Sequence, residues 1–151
     1  MTFVGFGFLM SYLKTYCWSS VGFTLLLACW SLQLFMVLMP FLEQWMLKGS
    51  SGTFTKIELD LSKVIESQYA AVALIVSLGA VIGKSNWSQL FMFGTFECVF
   101  YCINKVVMDD FLMVKDVGGS VQVHLFGAFF GLAAASWFTP KWATEKWEDR
   151  N

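Results

Sequence analysis

The chain has 151 residues, 57% of them apolar and 14% charged, with a mean hydropathy of +0.62. A soluble domain averages about 45–50% apolar and about 25% charged, so the composition points to a membrane protein. Intrinsic disorder needs low hydrophobicity and high net charge and is excluded, as are collagen, disulfide scaffolds and low-complexity tracts. The net charge of −1, from ten Lys/Arg against eleven Asp/Glu, carries no basic footprint for nucleic acid.

A membrane helix needs about 20 mostly apolar residues to cross about 30 Å of hydrocarbon. Five segments compete for that role. Met1–Leu13 is apolar from its first residue, shows no basic region of a secretory signal, and is short for a span. Val21–Leu42 gives 22 residues without a charge, and Ser67–Gly83 gives 17. The fourth segment runs from Leu90 to Val107 and is interrupted by Glu97, and the fifth is Val117–Pro140, 24 residues without a formal charge. The links are Lys14–Ser20, Glu43–Lys63, Lys84–Gln89 and Asp109–Asp116. The second of these holds Gly-Ser-Ser-Gly among several charges and reads as a solvated loop. The expected fold is all-α, a polytopic membrane bundle of about five helices over residues 1–140, followed by a polar tail at 141–151.

Trp18, Trp45, Trp87, Trp137 and Trp142 fall at span ends, where indole rings favour the headgroup zone. Orientation is undecided by charge. Lys14, Lys84, Lys141, Lys146 and Arg150 lie on one side, and Lys48, Lys56, Lys63, Lys105 and Lys115 on the other. Asn86-Trp87-Ser88 forms a glycosylation sequon too close to a span end for easy access. Cys17, Cys29, Cys98 and Cys102 sit in or beside apolar runs, and with a single histidine in the chain they do not make a zinc site. They read as reduced thiols packed among helices. No cofactor or metal site is read from the sequence, and no nucleophile–base pairing or phosphate loop points to an enzyme.

Three polar positions and two glycine pairs stand out in or beside the spans. His124, inside the fifth, either lines a path as a hydrogen-bonding station for a small polar solute or ties helices together. Asp116, followed by Val-Gly-Gly-Ser, is placed to cap the helix that bears His124, or to draw a cation to a pore mouth. Glu97 lies mid-span with no sure partner in the sequence and is expected to be a neutral acid hydrogen-bonded between helices. Gly127 and Gly131 have the small-xxx-small spacing of close helix contact, and Gly118 and Gly119 permit tight backbone approach.

The run KDVGGSVQVHLFGAFFGL resembles the Rh family signature, in which Lys-Asp-x-Gly-Gly-Ser leads into His-x-Phe-Gly-Ala-aromatic-Phe-Gly-Leu. FVGFGFLMSYLKTYCWSSVGFT and LGAVIGK are similar to other segments of that family, in the same order. The resemblance implies the ammonium transporter/Rh fold: two inverted halves of five helices each, a pore in every protomer, and a homo- or hetero-trimer with Rh proteins. This chain would cover the first half. His124 matches the first of the family's two midplane histidines, and Asp116 the aspartate that opens the same helix. Tyr69 falls at the external phenylalanine gate. Lys105 falls at the outer vestibule, where conducting members carry an acid and erythroid Rh blood-group-like polypeptides a basic residue. The implied activity is passage of ammonia, drawn from ammonium, through an apolar pore in the plasma membrane, with carbon dioxide a further proposed substrate. The rival readings are a non-conducting structural subunit and an inactive truncated product. Half a repeat on its own is expected to transport nothing and to expose Glu97 and His124 to lipid.

Overall fold

A computed structural model describes residues 1–11, 17–48 and 55–139. The described residues form five helical stretches: α1 (Thr2–Met10), α2 (Cys17–Lys48), α3 (Leu61–Val81), α4 (Trp87–Val106) and α5 (Phe126–Phe138). Two π-helical segments extend this plan, Val107–Phe111 after α4 and Ser120–Leu125 before α5. Among the described residues, four helices are long and apolar enough to cross a membrane: Trp18–Leu47, Leu61–Val81, Trp87–Phe111 and Ser120–Phe138. The nine residues of α1 reach only about 14 Å at 1.5 Å per residue. The polar tail 141–151, with Trp142, lies outside the described residues.

α2 departs from the expected boundaries. It continues through Pro40 and past Leu42 to Lys48, so Glu43 to Lys48 of the expected loop are helix, and α3 takes up Leu61 to Lys63 at the loop's other end. The residues Glu43-Gln44-Trp45-Met46-Leu47 are good helix formers once the chain has left the hydrocarbon. Hydropathy marks the membrane slab, not the end of the helix. Pro40 removes one backbone donor, which a packed membrane helix tolerates.

α3 is the centre of the bundle. Ala70, Ala71, Ala73, Ser67 and Ser77 keep its surface low, and Leu74, Ile75, Leu78 and Val81 fill the space around it. Its backbone runs against α2 on one side and α5 on the other. Small residues are what permits such approach where lipid tails offer no hydrophobic drive between helices. The α5 glycines complete the crossing: a Cβ on Gly127 would lie 2.7 Å from the Ala73 carbonyl oxygen, and one on Gly131 would lie 2.8 Å from Ser77 Cα. The small-residue spacing thus finds its partner on α3.

The apolar core has two parts. Leu27, Ala28, Ile75, Leu78, Leu90 and Phe93 form one. Phe35, Ala73, Cys98, Tyr101, Cys102 and Val123 form the other. Cys98 and Cys102 are buried free thiols within it, and Cys29 is an exposed one. Trp18, Trp45, Trp87 and Trp137 are all exposed, as anchors at span ends must be.

Candidate functional site

The segment between α4 and α5 reverses the chain, and two glycines make this possible. Gly118 has φ +89° and Gly119 φ +71°, a backbone region that other residues enter at a cost. Gly118 has open space around it, so its need is conformational rather than one of close approach. Gly119 has both needs, since a Cβ there would lie 2.9 Å from Val123 Cγ2.

Asp116 closes the turn. Its carboxylate accepts from the backbone N–H groups of Ser120 (3.0 Å), Val121 (2.8 Å) and Gln122 (2.8 Å). These are the donors that a helix start leaves without partners, and the negative charge meets the positive end of the helix dipole. The Gln122 amide first, then those of Val121 and Ser120, hold the Asp116 carboxyl below the usual aspartate range. The helix begins with a wide π turn, in which His124 N–H donates to Gly119 O at 3.1 Å.

A cavity of about 280 Å³ opens beside this turn, lined among others by Glu66 and Tyr69 of α3, Tyr101 and Lys105 of α4, Asp109 and Asp116. Three of the four pore and vestibule residues that the resemblance implies therefore share one concavity: Tyr69, Lys105 and Asp116. Tyr69 is 52% exposed at its mouth. Glu66 and Asp109 were missed. The Asp109 signal was its i,i+4 spacing to Lys105, and the Glu66 signal was its place one turn before Tyr69. Lys105 is not a lone cation, because its Nζ lies 2.7 Å from Asp109 Oδ2. Asp109 also accepts from Gln122 Nε2, so it links the end of α4 to the start of the His124 segment. Three carboxylates and one ammonium line the cavity, which leaves it acidic.

His124 is not part of this lining. It is exposed on the surface of the bundle. Glu97 is hydrogen-bonded between helices, as its mid-span position predicts, and not lipid-exposed as the truncated-product reading required. It is buried at 1% exposure. Its partner is Ser77 of α3, whose Oγ bonds Glu97 Oε1.

Comparison with known proteins bears on this arrangement. A sequence model described as the Ammonium Transporter Family matches residues 1–151. The chain is similar to ammonium transporters Rh type B: 42% identical to that of Papio hamadryas, 42% to that of Homo sapiens and 41% to that of Sus scrofa, each over 132 residues and 87% of this chain. It spans about 27% of the length of these relatives. The turn capped by Asp116, the acidic cavity and the apolar helices behind them are thus features of an integral membrane protein, and the chain belongs to the Ammonium Transporter Family.

Proposed function

We propose that the chain forms one wall of a path for ammonia across the membrane, within a longer Rh protein. The observation that carries this is the gathering of Tyr69, Asp116, Lys105 and two further acids around one cavity at the start of the helix that bears His124. An acidic mouth concentrates ammonium. The apolar spans behind it reject the cation, since moving an unpaired ion into low dielectric costs several kcal/mol or more. Neutral ammonia escapes most of that penalty and can bond to an imidazole nitrogen. In this reading Tyr69 stands at the outer gate, Asp116 holds the turn, and His124 is a hydrogen-bonding station that faces a second histidine from further polypeptide. Carbon dioxide is a further candidate solute. The protomer works in a homo- or hetero-trimer of Rh proteins in the plasma membrane.

The test is ammonia flux by stopped-flow in vesicles carrying the full polypeptide, wild type against His124→Ala. Flux lost in the variant, with unchanged insertion and melting, is expected. Equal flux in both removes His124 from the path.

The second reading is a structural, non-conducting subunit. Lys105 and the Tyr69 hydroxyl favour it, since each adds polarity or positive charge where a cation must enter and an apolar gate must close. Wild-type vesicles without flux, with retained assembly into Rh trimers, would decide for it. An inactive truncated product would show neither.

A further inference from the structure

Glu97 sits at a junction of three helices. Ser77 Oγ of α3 has three oxygen neighbours: Gly127 O of α5 at 2.8 Å, Ala73 O of α3 at 3.2 Å, and Glu97 Oε1 of α4. A serine hydroxyl has one proton to give and two lone pairs. The two carbonyls can only accept. Were Glu97 ionised, it too could only accept, and one proton would have to serve three acceptors. Lone pairs would then face each other across a buried contact, which low dielectric makes costly. With a proton on Glu97 Oε1 the count closes: Glu97 donates to Ser77 Oγ, and Ser77 donates to Gly127 O. Glu97 Oε2, buried and without a hydrogen-bond partner, is then a neutral carbonyl oxygen rather than half of a bare carboxylate.

Among the described residues, no cation pairs with Glu97. The ion pair among the described residues is Lys105–Asp109, about two turns along α4 from Glu97. Glu66 and Lys84, the charged residues flanking Ser77 in sequence, lie about three and about two turns away along the chain. His124 is about one turn before Gly127 on the facing segment, and it is exposed.

We propose that Glu97 carries a proton at neutral pH and acts as a positioning residue: through Ser77 it fixes the Gly127 carbonyl, and with it the segment that presents His124. Its bearing on ammonia passage rests on the reading above, whereas the protonation itself does not. A chain of donors from α4 through α3 to α5 locks the sliding of α5 along α3, a freedom that apolar contact alone leaves.

The experiment compares wild type with Glu97→Gln, Glu97→Leu and Ser77→Ala in lipid, by infrared difference spectroscopy and by backbone hydrogen exchange over residues 120–131. The wild type is expected to show the carbonyl stretch of a protonated carboxylic acid at neutral pH, absent from E97Q. E97Q, which still donates to Ser77, keeps wild-type exchange. E97L and S77A exchange faster by about fivefold, the loss of one buried hydrogen bond. A carboxylate band in wild type that E97Q removes overturns the protonation, and E97Q exchanging as fast as E97L overturns the positioning role. If E97L fails to insert, the wild-type and E97Q pair decides the proton and S77A decides the link. Absent ammonia flux in wild type sinks the transport reading alone, since neither readout depends on it.

Discussion

Lys105 Nζ and Asp109 Oδ2 lie 2.7 Å apart, one turn from each other at the end of α4. The pair brings a positive side chain into the cavity with its charge already answered. Lys105→Ala removes the ammonium and frees the Asp109 carboxylate, so the mouth becomes more acidic. Half-saturation for ammonium in a flux assay should fall by about threefold at low ionic strength and return toward wild type at high salt. Asp109→Ala should shift it the opposite way, by leaving Lys105 unanswered. Identical values for all three proteins would detach this cavity from cation entry.

Asp116 sets a pH dependence whose direction follows from its bonds. The amides of Gln122, Val121 and Ser120 hold its carboxyl below the ordinary aspartate value. The folded protein therefore binds that proton less readily than the unfolded chain. The stability it contributes is present above the unfolded value and is lost as pH falls through the lowered folded one. Asp116→Ala should melt below wild type at neutral pH, and the gap should narrow on acidification below about pH 4. A gap of constant size from neutral to acid pH would mean that the carboxylate charge plays no part in the cap.

The α3–α5 crossing predicts a contrast among glycines. Gly127→Ala places a methyl 2.7 Å from the Ala73 carbonyl oxygen, and Gly131→Ala places one 2.8 Å from Ser77 Cα. Backbone cannot move aside as a side chain can. Each substitution should cost about 1–3 kcal/mol by overpacking. Gly22→Ala, with nothing within 4 Å of its new methyl, should be neutral or stabilising by up to about 1 kcal/mol, as for any exposed helical glycine. Melting of the three variants in one detergent checks the order. Equal melting of all three would mean that α5 can shift freely along α3.

Gly118 and Gly119 separate two reasons for glycine. Both have positive φ, and alanine in that region costs about 1–2 kcal/mol. Gly119→Ala adds a contact of 2.9 Å to Val123. G119A should therefore melt lower than G118A, and Val123→Ala should recover part of the G119A loss but none of the G118A loss. Recovery of both or of neither would place the cause elsewhere in the turn.

Much of this was legible in the sequence, for a physical reason. A span is a run of apolar residues of a length set by the bilayer, so Val21–Leu42 and Leu90–Val107 fall within helices that can cross, while Ser67–Gly83 and Val117–Pro140 overlap two more, Leu61–Val81 and Ser120–Phe138. Asp116 ahead of two glycines announces a capped turn, and GAFFG announces a close crossing. The end of α2 was not legible, because a helix does not stop where lipid stops. The partner of Glu97 was hidden too. Ser77 is one serine among many, and only the rotation of α3 against α4 brings its hydroxyl to the carboxyl. The cavity's acids, Glu66 and Asp109, stand on different helices, and no one-dimensional spacing joins them.

The central place of α3 has a consequence for how the chain is built. α5 lies along α3, while α4, its neighbour in sequence, meets it through the rings of Phe93, Phe100 and Phe130. During synthesis α3 enters the membrane two spans before the glycine helix that crosses it. Its shallow groove of alanine and serine is already in place, with α2 against its other side. α5 meets a waiting seat whose depth admits hydrogen where any larger atom would collide. The register of the His124 segment is thus written in the alanines and serines of an earlier helix.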